Sequence, residues 1–216
     1  MRIIKFLIFV GLFISLVSCS KMKKEYYKDG TIQSEVTYKN GKKNGIATYY
    51  HPNGKKSLEL FFKDDLAEGQ STLWYFKGTI NRTGNYKNNK LNGISTTWDE
   101  NDGYKLSEET YLNDTLNGLY REFHPNGEVK TKGNYKSGKY EGKWEYFDEL
   151  GLPVGEGLFK NGAGVLKGWY PDGKTIREVH YLDNLKDGSE TFWDESGKLE
   201  KIIYYKNGKV IKIETF

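Results

Sequence analysis

The residues of this chain best able to do chemistry are His51, His124 and His180, the single cysteine Cys19, and a few paired acids. A metal site needs ligands that converge within a few ångströms. His51 and His124 share one context, His-Pro-Asn-Gly, three sequence repeats apart, and His180 stands just before an aromatic residue. No cysteine or carboxylate is spaced to join any of them. Asp64-Asp65 and Glu108-Glu109 read as solvated acids at unit junctions or on strands, not as an acid–base couple. Asp29, Asp102, Asp172 and Asp187 do not follow the spacing of a calcium loop. No Ser-His-Asp set has an elbow-like context. The Asn-Gly and Gly-Lys pairs lack the following helix that a phosphate-binding loop requires. The sequence therefore predicts no catalytic residue, no metal and no cofactor.

What positions every one of these residues is a repeat. Gly30, Gly54, Gly78, Gly103, Gly127, Gly151, Gly173 and Gly197 mark the starts of eight units at a period near 24 residues. Eight residues after each start lies an aromatic: Tyr38, Phe62, Tyr86, Tyr111, Tyr135, Phe159, Tyr181 and Tyr205. A second glycine follows at Gly45, Gly69, Gly93, Gly118, Gly142 and Gly188, and two residues early at Gly164, so the sixth unit carries a two-residue deletion. Five residues further on comes another aromatic: Tyr50, Trp74, Trp98, Phe123, Phe147, Trp169 and Trp193, with Trp144 the one tryptophan off the column. The eighth unit has Lys212 at the second-glycine position and reads as a cap, since end units of an array are commonly atypical.

Within a unit the periodicity is that of strands. Leu58, Leu60 and Phe62 alternate with Ser57, Glu59 and Phe61, and Ile94, Thr96 and Trp98 share a phase. Asn40-Gly41, Ser137-Gly138, Asn161-Gly162 and Asn207-Gly208 supply tight turns, since both residues tolerate positive φ. The predicted fold is all-β: an elongated single-layer antiparallel sheet of eight tandem β-hairpins. The two aromatic columns are expected to stack ring on ring, and the glycines to admit a close neighbour or a bulge. A lean apolar content of 37%, raised by 15% aromatics, suits such a thin structure.

The formal charge is +4, with basic and acidic residues interleaved. A nucleic-acid binder gathers its cations on one face or arm, so no nucleic-acid partner is expected. The N-terminus is a different segment. Arg2 and Lys5 precede an apolar run from Phe6 to Val17, too short for a membrane-spanning helix, which needs about 20 residues. The run ends in Leu16-Val17-Ser18-Cys19, which resembles a bacterial lipobox. That resemblance implies cleavage before Cys19 and lipidation of Cys19, the only cysteine and so unable to form an internal disulfide. Residues 1–18 are thus expected as a lipoprotein signal peptide, 19–24 as a short linker, and 25–216 as the repeat domain.

Tyr38-Lys39-Asn40-Gly41-Lys42, Leu91-Asn92-Gly93 and Tyr135-Lys136-Ser137-Gly138-Lys139 with Glu141-Gly142-Lys143-Trp144 resemble the variant MORN repeats of bacteria. The resemblance implies a curled antiparallel sheet used for protein contact, carried by lipoproteins or periplasmic proteins, many of them labelled toxin–antitoxin antitoxins. The expected function is a non-enzymatic scaffold of the cell envelope, held to a membrane, most simply the outer one, through Cys19 and meeting a protein partner. Two alternatives stand beside it: a glycan- or peptidoglycan-binding lipoprotein that uses its aromatic columns, and an inhibitor of a toxin acting in the envelope. The Phe6–Cys19 export signal argues against a cytoplasmic toxin as target.

Overall fold

The computed structural model describes residues 20–216, so the signal segment and Cys19 lie outside the described residues. One open antiparallel sheet of eighteen strands accounts for them, each strand pairing with the next in the chain except that the seventh and eighth, two pieces of one arm, both pair with the sixth. The strands are β1 (Ser20–Tyr26), β2 (Ile32–Lys39), β3 (Lys42–Tyr50), β4 (Lys56–Lys63), β5 (Leu66–Trp74), β6 (Ile80–Lys87), β7 (Lys90–Leu91), β8 (Gly93–Trp98) and β9 (Lys105–Leu112). The second half runs β10 (Thr115–Phe123), β11 (Val129–Lys136), β12 (Lys139–Phe147), β13 (Pro153–Lys160), β14 (Ala163–Trp169), β15 (Thr175–Leu182), β16 (Leu185–Trp193), β17 (Leu199–Lys206) and β18 (Lys209–Thr215). There is no helix among the described residues. The all-β hairpin array is therefore as the periodicity predicts.

The segment 19–24 is not a linker from Ser20 onward. It enters β1, which pairs residue by residue with β2 from Ser20↔Lys39 to Tyr26↔Ile32. The cause is legible in hindsight. Tyr26 lies 24 residues before Tyr50 and so continues the second aromatic column by half a unit. An edge arm lent to β2 satisfies backbone groups that would otherwise face water.

Two kinds of connection alternate. Within each hairpin the turn is two residues long, and both take positive φ: Asn40 and Gly41 at 52° and 79°, Asp64 and Asp65 at 51° and 69°, Asn88 and Asn89 at 51° and 66°. Asn113-Asp114 and Asp183-Asn184 do the same. This is the geometry whose twist matches paired strands. Asp64-Asp65 is thus a hairpin turn, not a pair of acids placed only to solvate the surface. Between hairpins the chain makes a wider turn closed by a pair of backbone bonds, as at His51 N to Lys55 O (2.8 Å) and Gly54 N to His51 O (2.9 Å).

The second glycines have a specific role. Gly45, Gly69, Gly93, Gly118, Gly142 and Gly188 all hold positive φ, from 70° to 123°, and each sits where the register slips. Val36 pairs with Ala47 but Tyr38 with Lys43, so the second arm carries two extra residues. In the sixth unit the ladder between β13 and β14 runs without a slip, and Gly164 has no positive φ. The two-residue deletion has removed the bulge and left a regular hairpin. Gly164 is required for another reason: a Cβ there would stand 2.2 Å from the Leu158 carbonyl oxygen and 2.7 Å from the Phe159 ring.

The sheet has unequal faces. One register row carries most of the core: Val36, Ala47, Leu60, Ser71 and Gly84 in the first half, then Trp144, Gly157, Leu166, Val179 and Glu190 in the second. Ala47 and Val179 are fully buried and Trp144 is 3% exposed. A single layer reaches such burial only by curling, which strand twist and repeated bulges both promote. This inner face is lined small against large. Gly133 lies under Trp144, where a Cβ would fall 2.2 Å from the indole.

Candidate functional site

The rings do not form two continuous ladders. Ring-to-ring contacts gather around one cluster built from Tyr120, Tyr135, Tyr140, Trp144, Phe159 and Tyr181, with Trp144 and Tyr140 closest at 4.6 Å. Burial pushes the Tyr120 phenol up to about 12 and Tyr135 higher still, so both stay protonated. Elsewhere the column rings are met by cations. Lys23 stands over Tyr38, Lys43 over Phe62, Lys56 over Trp74, Arg82 over Tyr111, Lys105 over Phe123, Lys132 over Phe147 and Lys186 over Tyr205, at 4.8–5.4 Å. The cation itself stands over the ring, and Lys56, Lys105, Lys132 and Lys186 are also paired with a glutamate. Trp144, off the column in sequence, is the most buried ring, and its Nε1 donates to the Asn134 carbonyl at 3.2 Å.

The histidines fill structural positions. Nε2 of His51 donates to the Trp74 carbonyl (3.1 Å) and Nε2 of His124 to the Phe147 carbonyl (2.9 Å). Tyr27, Tyr75 and Tyr170 do the same with their hydroxyls, toward Tyr50, Trp98 and Trp193. A 23-residue reach is common to all five, so in these units one turn position ties a unit to the next, while Asp99, Asp148 and Asp194 at the same place accept from their own turns. His180 packs on the opposite face beside Ser189, with Nδ1 3.1 Å from its carbonyl. Among the described residues no three His, Cys, Asp or Glu side chains gather as a metal site.

The acids hold turns and cations. Asp65 Oδ1 accepts from Lys43 N at 2.7 Å, Asn89 Oδ1 from Ala67 N at 2.6 Å and Asp114 Oδ1 from Leu91 N at 2.7 Å. Glu108 takes Lys105 at 2.6 Å and Arg121 at 3.2 Å, while Glu109 accepts from the Tyr111 hydroxyl at 2.5 Å with Arg82 nearby at 3.6 Å. Asp29 and Asp172 accept from backbone N–H groups of their own turns, and Asp187 from Asn207 N. Each has a local partner, Glu108 and Glu109 along β9 and the others at turns.

The outer face carries two rows of different character. One is a ladder of threonine and charge, from Glu35, Thr48 and Glu59 through Lys132, Glu145 and Glu156 to Lys167 and Glu178. Its ions pair across strands, as Lys132–Glu145 at 3.0 Å and Lys167–Glu178 at 2.9 Å. The row beside it joins Ile46 to Phe61, Gln70 to Asn85, Ile94 to Thr110, Leu119 to Asn134, and Leu158 to Val165. Ile46 is 56% exposed, Ile94 58% and Leu158 72%. In a chain that is 29% charged, this row is largely uncharged, with Glu141 opposite Asn134 and Lys143 opposite Leu158 the exceptions among its central members. Sequence reasoning missed it because register, not periodicity, decides which residues align across strands.

The family model described as MORN repeat variant matches five segments: residues 23–40, 43–64, 116–137, 164–183 and 186–207. Each segment spans the second arm of one hairpin and the first arm of the next, so the family unit is phased on the wide turn. The first includes β1, in keeping with its role as a half-unit. No curated protein matches the chain. Among solved structures, one titled "Crystal Structure of TcdB2-TccC3-Cdc42" aligns with 86% of this chain at 10% identity and a TM-score of 0.26. This chain spans 12% of that one, and a likeness of this degree carries no argument about function.

Proposed function

We propose that this protein is a non-enzymatic MORN-type scaffold, anchored through a lipid on Cys19 in a bacterial envelope, that presents its outer face to a protein partner. The observation that carries the reading is the neutral row of Ile46, Phe61, Ile94, Leu119, Leu158 and Val165. Exposed apolar groups set side by side across strands, and bordered by a ladder of ions, have the make-up of an interaction surface with a polar rim. The inner row explains why the array holds together; nothing in the fold needs the outer row to be apolar.

The lysines over the column rings weigh against a glycan reading, since a sugar would have to displace them to stack. The anchor is supported by the lipobox-like Leu16–Cys19. Ser20 in β1 already pairs with Lys39, so a lipid on Cys19 would tether the chain beside the first edge strand. The test is envelope fractionation with metabolic palmitate labelling, followed by affinity capture, of wild type beside Cys19→Ala. Label and membrane recovery in the wild type alone, with one dominant co-captured protein, is the expected result. An unlabelled wild type that remains soluble would overturn the anchored reading.

A further inference from the structure

The inner face holds a hollow of about 350 Å³ whose lining includes Tyr146, Gly155, Leu166, Gly168, Arg177 and Phe192. Tyr146, Gly155, Gly168, Arg177 and Phe192 form one register row. The repeat itself shows what is unusual there. At the place of Gly168 the other units carry Tyr49, Leu73, Thr97, Glu122, Tyr146 and Phe192. At the place of Gly155 they carry Ser34, Leu58, Arg82, Ser107, Thr131, Arg177 and Lys201. The sixth unit alone has glycine at both, which opens a gap two strands wide between the Tyr146 ring and the Arg177–Phe192 pair.

Backbone demands do not explain Gly168. Its φ is ordinary, and a Cβ there would meet only Ile176 Cγ2 and the Val154 carbonyl oxygen at 3.5 Å. Gly155 differs, because a Cβ would stand 2.8 Å from the Lys167 carbonyl oxygen. Gly168 therefore leaves space that the fold could fill.

The polar groups around the hollow are unbalanced toward positive charge. Arg177 pairs with Glu190, a carboxylate only 3% exposed that Lys186 also contacts at 2.7 Å. Lys201 lies 4.6 Å from the centre of the Phe192 ring. Two cations thus meet one buried anion, and a third, Lys201, stands by the Phe192 ring. Arg177 Nε is buried and has no hydrogen-bond partner, which is costly unless something accepts from it.

The geometry points to a binding site for a small amphipathic carboxylate, its apolar or aromatic body between Tyr146 and Phe192 and its carboxylate accepting from Arg177. The volume is at the small end of ligand sites, about 300–1,000 Å³, and suits a single ring or a short chain. The site lies on the face opposite the neutral outer row, so it stands or falls independently of the scaffold reading.

The experiment is isothermal titration of residues 20–216 with phenylacetate and with its neutral isostere phenylacetamide, on wild type, Gly168→Ala and Gly168→Leu. The expected result is saturable binding of phenylacetate, at least tenfold weaker for the amide, weakened by Gly168→Ala and lost in Gly168→Leu. Thermal unfolding of each variant checks that the sheet is intact. Arg177→Lys keeps the charge on Glu190 and removes Nε, and should weaken phenylacetate more than the amide. Equal affinity for acid and amide, no binding at millimolar concentration, or binding unchanged in a folded Gly168→Leu would each overturn the proposal.

Discussion

Glycine does three separate jobs in this chain, and each predicts a different cost of substitution. Gly93 holds a φ of 87° with nothing within 4 Å of its would-be Cβ. Gly93→Ala should cost about 1–2 kcal/mol, the strain of a left-handed residue, read from denaturant unfolding. Gly133 has an ordinary φ but lies against the Trp144 indole. Gly133→Ala must displace the most buried ring and should cost about 1–3 kcal/mol or more. A larger loss for Gly93→Ala than for Gly133→Ala would contradict this ordering. Glu190 gives a prediction in pH. Burial pushes its carboxyl up, but Lys186, Tyr205 and Arg177 together hold it below the ordinary 4.5. Its contribution is therefore complete above pH 4.5 and lost as pH falls through the lower folded value. Glu190→Gln should lose about 2 kcal/mol near neutral pH and show a shallower fall in stability below pH 4.5. A variant as acid-sensitive as the wild type would remove Glu190 from the account.

At the scale of the hairpin, half of the tight turns were legible. Asn40-Gly41, Ser137-Gly138, Asn161-Gly162 and Asn207-Gly208 announce themselves. Asp64-Asp65, Asn88-Asn89, Asn113-Asp114 and Asp183-Asn184 adopt the same geometry without glycine. Their signal was available, since short Asx side chains tolerate left-handed backbone, but paired acids read equally well as surface charge. The second Asx also does what glycine cannot, clamping the preceding unit through its side chain. Asp65→Gly keeps the turn and deletes the clamp on Lys43 N, so it should cost about 1 kcal/mol and speed hydrogen exchange at the Lys43 amide. Unchanged exchange there would show the clamp to be idle. The sixth hairpin reveals the same logic by exception. Its turn ends in Gly162, so Tyr140 N receives no side chain from it. Asn184, one unit further on, supplies the oxygen at 2.9 Å and donates to Gly138 O at 2.8 Å. The missing bulge lets the fifth and seventh units touch, with Lys139 and Asp183 at 2.8 Å. A two-residue deletion could be counted in the sequence; its consequence could not, because it depends on contacts two units apart.

Across the whole molecule, the period, strand character and number of units were readable because every unit repeats the same local demands. The strand β1 was not read, since its half-unit keeps Tyr26 but has Lys21 where the bulge glycine would fall. The faces were not readable either. Bulges shift register by two residues in most hairpins and by none in the sixth, so the neutral outer row emerges only when the strands are aligned. That row is the centre of the functional account. The most direct measurement is affinity capture from native envelopes, comparing the wild type with the triple variant Ile46→Lys, Ile94→Lys and Leu119→Lys. All three side chains are exposed, and their replacement should leave thermal unfolding nearly unchanged. The account predicts that a dominant partner protein held by the wild type is lost from the folded variant. The same protein captured equally by both would contradict the assignment of the outer row as the binding surface.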